Sequence, residues 1–121
     1  MNSRFPEGAN TLWDTWTPTR TGWTDVGTPT VTARYCQNGK IVFFQIKVVP
    51  GTTVATVTGT SYVSLPVAVG ASALAGDGSM MNITTLIGVG NCAFDAANGR
   101  FYVPTQTATG NTLTIGGWYE V

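Results

Sequence analysis

The sequence contains no histidine and few charged residues. Only 10% of its 121 residues are Asp, Glu, Lys or Arg, and six basic residues balance six acidic ones. Without histidine the chain has no Ser–His or Cys–His nucleophile pair, and it lacks a common ligand of zinc sites. Domains that bind nucleic acid usually carry a basic excess on one face. The composition therefore argues against histidine-dependent catalysis and against nucleic acid as a partner.

The remaining candidates for catalysis are scattered carboxylates. A glycosidase needs two carboxylates that face each other across a sugar, but Asp77 and Asp95 lie in Gly- and Asn-containing segments typical of turns. The GDGS motif at Asp77 lacks the alternating acidic ligands of a calcium loop. We therefore expect a protein that is not an enzyme and that binds no cofactor or metal. The six acids are Glu7, Asp14, Asp25, Asp77, Asp95 and Glu120.

Long apolar segments and targeting signals are also missing from the sequence. No run approaches the ~20 apolar residues of a membrane-spanning helix, and MNSRFPEGAN has neither the basic nor the apolar region of a signal peptide. We expect no membrane insertion and synthesis in the cytosol. Cys36 and Cys92 are the two cysteines; they can form one disulfide, but a cytosolic origin favours two reduced thiols.

The low charge itself indicates association. Soluble domains usually carry about a quarter charged residues and a net charge away from zero, which limits association. A neutral chain is tolerated if neighbouring subunits cover much of its surface. The composition therefore favours an oligomer or a part of a larger assembly.

Segment 31–48 predicts a β-hairpin around the dipeptide Asn38-Gly39. Asn-Gly favours a two-residue type I′ loop, and apolar residues alternate with polar ones on both sides of it. One face then carries three apolar cross-strand pairs: Tyr35–Val42, Ala33–Phe44 and Val31–Ile46. Phe43 lies opposite Arg34 on the other face, where Ile41 and Val49 extend an apolar strip. We expect a second sheet or another subunit to cover that strip.

Further strand and turn signals follow without helical periodicity. Strands are predicted over TTVATVTG, TSYVSLP, MMNITTLIGVGNC and TLTIGGWYEV, and residues 66–79 are predicted to be a loop. Asn98-Gly99 predicts a second hairpin that pairs Phe94 with Val103, and Gly116-Gly117 predicts a β-bulge. Short strands separated by turns are typical of an all-β fold, here an antiparallel β-sandwich or jelly roll.

The first thirty residues differ from the rest. The segment from Met1 to Asn10 is polar, and the next interleaves tryptophan with threonine. It also contains Pro18 and Pro29, which forbid long regular strands. We interpret residues 1–30 as an extended N-terminal arm that lies on another surface, and residues 31–121 as the β-sandwich domain.

Six aromatic side chains are the best candidates for contact with a partner or a glycan. Exposed aromatic rings beside polar residues stack on sugars while the polar groups bond hydroxyls. Tryptophan is also enriched at protein interfaces, and packing or subunit contact is the commoner role. The candidates are Trp13, Trp16, Trp23, Phe43, Trp118 and Tyr119.

Three segments carry motifs in a recognisable order: WTPTRTGWTDVGTPTVTARYCQNGKIVFFQIKV, then SYVSLP, then TLTIGGWYEV. They resemble small β-rich modules of tailed-bacteriophage virion proteins, which read as W-x-P-T, an ARY strand, an I-V-x-F strand, SLP and a final G-x-Y. The resemblance spans most of the chain from Trp13 onward. Such modules occur at tail-fibre ends and in small virion surface proteins. The resemblance implies a homo-oligomer, with a trimer favoured, that contacts other virion proteins.

On this resemblance we expect a non-enzymatic structural protein, located in the virion after assembly in the host cytoplasm. The favoured role is a capsid decoration or cement subunit that docks through its N-terminal arm. The alternative is a receptor-binding module of a tail fibre or baseplate that recognises a cell-surface glycan. A recognition module should present its aromatic side chains in an open groove, whereas a decoration protein should bury them. A secreted lectin is less favoured, because no signal peptide is visible.

Overall fold

The computed structural model describes residues 13–71 and 73–121, which form an all-β structure without a helix. The predicted all-β, sandwich-like fold is therefore confirmed. No helix in this part of the chain is long and apolar enough to cross a membrane. The strands are β1 (Asp14–Thr15), β2 (Arg20–Thr21), β3 (Thr24–Val26), β4 (Thr30–Asn38), β5 (Ile41–Val49), β6 (Thr53–Thr56), β7 (Tyr62–Ser64), β8 (Gly76–Asn82), β9 (Ile87–Asp95), β10 (Arg100–Tyr102), β11 (Gln106–Thr109) and β12 (Leu113–Glu120).

Two antiparallel sheets curl into a sandwich-like half-barrel. The large sheet has the strand order β1-β4-β5-β12-β8-β9-β10-β7-β2, and the small sheet has the order β11-β6-β3. Strand β9 joins the two halves of the large sheet, because it pairs with β8 as far as Cys92 and with β10 from Ala93 onward. A β-bulge between Met80 and Met81 shifts the β8–β9 register. Bulges bend a sheet, and this one lies between β8 and β9, the strand that the two halves share.

An aromatic cluster fills the centre of the core. Phe44 on β5, Phe101 on β10 and Tyr119 on β12 are fully buried. The ring of Phe101 lies 5.1 Å from those of Phe44 and Phe94 and 6.2 Å from that of Tyr119. Because these strands belong to opposite halves, the cluster holds the curled sheet closed. Full burial of one such side chain contributes about 1.5–3 kcal/mol.

The predicted hairpin is present, but its register differs by two residues. Asn38 pairs with Ile41, so the loop is Gly39-Lys40 rather than Asn38-Gly39. Gly39 has a φ of 63°, a left-handed conformation that glycine adopts without steric penalty at the first loop position. A shift of two residues leaves every side chain on its original face. The buried residues of the hairpin are Ala33, Val42, Phe44, Ile46 and Val48.

Three other local predictions are corrected. The second hairpin has a four-residue loop, because Asp95 pairs with Arg100, and Phe94 then pairs with Phe101 rather than with Val103. Strand β12 passes through both of its central glycines without a bulge, in register with both neighbours. Strand β8 begins at residue 76, so the predicted loop 66–79 ends earlier than expected.

Residues 13–30 are extended chain that pairs with the rest of the molecule. Strand β1 pairs with β4, β2 with β7 and β3 with β6. The surface on which this part of the predicted arm lies is therefore formed by the sheets of the same chain. Residues 1–12 lie outside the described residues, and the boundary between an arm and a domain at residue 30 stays a prediction.

Candidate functional site

Aromatic side chains cross the outer face of the large sheet, which points away from the core, in one row. On this face Phe43 pairs with Cys36 of β4, rather than with the predicted Arg34, and with Trp118 of β12. Trp13 comes immediately before β1, and the β1–β4 register places it beside Cys36, so it extends the row one strand beyond β4. We call these three aromatic residues, together with the cysteine that lies between two of them, the aromatic row: Trp13, Cys36, Phe43 and Trp118. Trp13 is 38% exposed and Phe43 is 40% exposed, whereas Cys36 and Trp118 are half-buried.

A groove of about 480 Å³ lies beside the aromatic row on the same face. Its floor crosses β4, β5 and β12 along the register Arg34–Gln45–Gly116. Gly116 has no side chain, and the nearest atom to a Cβ built there is the backbone oxygen of Phe44 at 3.8 Å. The space above Gly116 is therefore open, and any larger residue at this position would project into the groove.

Arg34 forms part of the wall of this groove and is held by two contacts. Its Nε donates a hydrogen bond to Oε1 of Gln45 at 2.9 Å, and its guanidinium carbon lies 4.9 Å from the centre of the Trp13 ring. A cation–π contact at an exposed site contributes about 0.5–1 kcal/mol. Both contacts restrain Arg34 and leave its Nη1 and Nη2 donors for another acceptor.

The groove carries positive charge. The described residues form two ion pairs, Arg20–Asp25 and Arg100–Asp95. Arg34 and Lys47, which both line the groove, belong to neither pair. The chain as a whole has no net charge, so acidic side chains elsewhere in the sequence balance these two cations.

Two acidic residues lie on the outer face within the described part of the chain, Asp77 and Glu120. Asp77 is the partner of Trp118 on β8 and continues the aromatic row one strand further from Arg34. Glu120 lies beyond Trp118 on β12, and its Oε1 accepts a hydrogen bond from the backbone N–H of Leu74 at 2.6 Å. Neither carboxylate lines the groove.

Two of the predicted contact residues hold the N-terminal segment on the sheets instead. Trp16 packs edge-on against Tyr35 and Phe44, with ring centres 5.9 Å and 6.3 Å apart. Trp23 is half-buried, and its Nε1 donates a hydrogen bond to the backbone oxygen of Tyr62 at 3.2 Å. Both tryptophans therefore serve as anchors within the chain.

Tyr119 is a core residue, which corrects its placement among the surface contacts. Its side chain is fully buried. Its hydroxyl donates a hydrogen bond to the backbone oxygen of Val67 at 2.8 Å and accepts one from the Val67 N–H at 3.0 Å. Burial raises the pKa of Tyr119 to about 12. Ring and hydroxyl are both used inside the molecule, so Tyr119 is not available to a ligand.

Arg34, Gln45, Lys47 and Gly116 were not predicted as site residues. These residues come from strands β4, β5 and β12, and β12 is far from the other two in sequence. The four residues meet only in the folded sheet, so no local sequence motif contains them. The available signal is the apolar alternation of β5, which assigns Gln45 and Lys47 to the same outward face as Phe43.

A second aromatic cluster lies on the other half of the large sheet. The rings of Tyr62 and Tyr102 are 5.3 Å apart, and the guanidinium carbon of Arg100 lies 4.2 Å from the Tyr62 ring centre. Asp95 approaches Arg100 Nε at 3.5 Å. Since its one cation is paired with an acid, this cluster offers less to an external ligand than the groove does.

The described acidic side chains lie in separate parts of the fold. Asp77 lies in strand β8 rather than in the predicted turn, and Asp95 lies at the predicted turn. Its carboxylate accepts hydrogen bonds from the side chain and backbone N–H of Asn98 at 2.9 Å and 3.2 Å, and the side-chain bond is the main cause that lowers the pKa of Asp95. Within residues 13–71 and 73–121, no group of three His, Cys, Asp or Glu side chains is placed to hold a metal.

The two cysteines are both free. Cys36 is half-buried within the aromatic row, and Cys92 is buried on the opposite side of its sheet. Burial, with a smaller contribution from the charge of Asp77, raises the pKa of Cys92 to about 12. A thiol must lose its proton to act as a nucleophile, so burial and the raised pKa both disfavour reaction at Cys92 in the folded chain.

Comparisons with protein-family models, curated proteins and solved structures give no match. The function is therefore inferred from the chemistry of the outer face. This face combines exposed aromatic rings, restrained hydrogen-bond donors and a positively charged groove. Such a combination is suited to binding a ligand.

Proposed function

We propose that this chain is a non-enzymatic surface protein of a tailed-bacteriophage virion and that it recognises a receptor through its outer face. The observation that carries the recognition role is the partly exposed aromatic row beside the groove at Gly116. Aromatic rings stack on the apolar faces of sugars, and the polar groups next to them bond hydroxyls. The virion assignment rests on the resemblance of the segment from Trp13 onward to phage modules.

Recognition is preferred to docking through the arm because of how the N-terminal segment packs. The anchoring tryptophans of the N-terminal segment, Trp16 and Trp23, are packed against this chain's own strands. Docking through residues 13–30 would first require this pairing to break.

The test uses virions of the phage that encodes the chain. We expect the protein in purified virions, and we expect the purified chain to bind host cells and to compete with phage adsorption. Phe43→Ala and Trp118→Ala should each abolish cell binding, whereas Leu86→Ala, which removes an exposed apolar side chain outside the aromatic row, should retain it. Absence from virions would contradict the virion assignment. Equal cell binding by all variants would contradict recognition through the aromatic row.

Capsid decoration stays the second candidate because of an apolar tip between β8 and β9. Leu86 and Ile87 are 79% and 63% exposed there, and Met81 is exposed beside them. Exposed apolar patches commonly mark protein–protein contacts. If this tip docks on a capsid, Leu86→Ala should release the protein from particles, and particles without it should lose resistance to heat and chelation. Particles equally resistant without the protein would contradict decoration.

A homotrimer is part of the proposal. The weak overall charge and the exposed apolar residues support association. Light scattering on the purified full-length chain measures its mass in solution. A trimer would support self-assembly, whereas a monomer would contradict the proposed oligomer.

A further inference from the structure

The groove beside the aromatic row carries more positive charge than recognition of a neutral sugar requires. We propose that it binds an anionic sugar residue of a polysaccharide, with Arg34 and Lys47 as the charge partners and the aromatic row as the stacking surface. This inference rests on the proposed recognition function and names the chemical class of its ligand. The anionic group is a carboxylate or a sulfate or phosphate ester on the sugar.

The charge argument depends on which cations are already neutralised. Arg20 and Arg100 each have an aspartate within ion-pairing distance, at 2.8 Å and 3.5 Å. Arg34 and Lys47 line the same groove, and no ion pair of the described residues includes them. In a chain with so few charges, two cations that lie beside one groove and outside the ion pairs of the described residues favour an anion as the ligand.

The geometry of Arg34 suits an oxyanion. Its Nε is bound to Gln45 at 2.9 Å and one face of its guanidinium covers the Trp13 ring. The side chain is therefore ordered before a ligand arrives, which reduces the entropy lost on binding. The two Nη donors form a planar fork that matches the two oxygens of a carboxylate, or two oxygens of a sulfate or phosphate group.

The aromatic row distinguishes a sugar from a free anion. A small ion needs only the two cations, whereas a pyranose ring also has an apolar face that stacks on aromatic side chains. Phe43 and Trp118 are paired across β5 and β12. The next pair on the same face, two residues along each strand, is Gln45 and Gly116. A ring stacked on them would place its substituents over the groove. Two cations are too few to follow a nucleic acid backbone.

The opening above Gly116 provides the means to test the site. A Cβ atom at this position meets only one atom within 4 Å, at 3.8 Å. A larger side chain here therefore fits the strand and fills the groove. Gly116→Val should block the ligand without disturbing the sheet, because valine is well accommodated in strands.

The experiment titrates the full chain with a short oligogalacturonide, a carboxylated oligosaccharide, and measures the dissociation constant by calorimetry. Neutral malto-oligosaccharide of the same length, a sulfated oligosaccharide and inorganic phosphate are titrated in parallel. We expect binding of at least one anionic oligosaccharide, weaker at high salt, and little binding of the neutral sugar or of phosphate alone. The carboxylated and sulfated arms distinguish the two sources of charge.

Variants then locate the site. Arg34→Gln should weaken binding about tenfold or more, since it removes a charged hydrogen-bond donor, and Gly116→Val should abolish binding. Lys40→Gln is the matched control, because it removes the same charge at the hairpin loop, outside the groove. It should leave the dissociation constant nearly unchanged. Circular dichroism confirms folding, and Arg34→Gln keeps the test decisive if Gly116→Val does not fold.

Several results would overturn the inference. These are binding of the neutral sugar as tight as that of the anionic ones, binding of phosphate alone with equal affinity, no binding of either anionic oligosaccharide, and an effect of Lys40→Gln equal to that of Arg34→Gln. Tight binding of duplex DNA or of anionic vesicles instead of the oligosaccharides would assign the cations to another class of partner. A protein that is found in virions and binds host cells, yet binds no anionic oligosaccharide, would leave the proposed function standing and remove only this ligand.

Discussion

Gly117 and Gly116 are neighbours on one strand, yet their substitution by alanine should have opposite effects on stability. A Cβ atom at Gly117 would collide with the backbone oxygen of Asp77 and lie 2.8 Å from the Cα of Gly78. Both obstacles are backbone of β8, so relief requires β12 and β8 to move apart. Overpacking of this kind costs about 1–3 kcal/mol. At Gly116 the nearest atom is 3.8 Å away, so no clash opposes the change there.

Alanine at Gly116 should stabilise the fold slightly. It restricts the unfolded chain and thereby contributes about 0.4–1 kcal/mol. Alanine restricts the unfolded chain equally at both positions, so only the clash separates the two variants, and their free energies of unfolding should differ by about 1–3 kcal/mol. For a chain of this size, each kcal/mol corresponds to a melting-temperature change of roughly 3–5 °C.

Urea denaturation followed by tryptophan fluorescence measures this difference, with calorimetry as a second probe. We expect the midpoint of Gly117→Ala to fall below that of the native sequence and the midpoint of Gly116→Ala to equal or exceed it. A midpoint of Gly117→Ala at or above that of the native sequence would refute the close approach of β12 and β8. A midpoint of Gly116→Ala clearly below that of the native sequence would refute the open space that makes Gly116 the floor of the groove.

Three further results are expected. Tyr119→Phe removes both hydrogen bonds to Val67 and should lower the free energy of unfolding by about 1–3 kcal/mol, measured by urea denaturation. Cys36 should react with a thiol reagent at pH 8 in the folded protein, whereas Cys92, whose pKa burial raises to about 12, should react only on unfolding. The lowered pKa of Asp95 should add stability above pH ~3.8 that is lost as the pH falls through its folded pKa, and Asp95→Asn should remove that part of the pH dependence.

Each of these has an outcome that contradicts it. An unchanged free energy of unfolding for Tyr119→Phe would mean that the two hydrogen bonds between the Tyr119 hydroxyl and the Val67 backbone do not stabilise the fold. Rapid labelling of Cys92 under native conditions would show that β9 opens readily. An unchanged acid-stability profile for Asp95→Asn would show that the turn bonds to Asn98 contribute nothing to folding.

Alternation along each strand could be predicted from the sequence, but the pairing register could not. The buried residues of the first hairpin were predicted because a shift of two residues preserves the face of every side chain. The observed loop lies one residue later than the predicted one, because Gly39 rather than Asn38 takes the first loop position. In the second hairpin the carboxylate of Asp95 binds Asn98 and stabilises a longer loop than Asn-Gly normally forms.

The candidate site was predicted only in part for a related reason. Phe43 and Trp118 were singled out as aromatic residues, but their adjacency depends on β12 inserting beside β5. Tyr119 follows Trp118 directly, yet alternation turns one side chain into the core and the other outward. Gly116 could not be recognised as the floor of a groove, because an open space is a property of three strands together.

The position of β12 between β5 and β8 has a consequence for synthesis of the protein. Strands β5 and β8 both emerge from the ribosome before the strand that joins them, so each has an unpaired edge while the remaining residues are translated. Unpaired edges promote aggregation. The nascent chain should therefore depend on chaperones that shield these edges until β12 has left the ribosome.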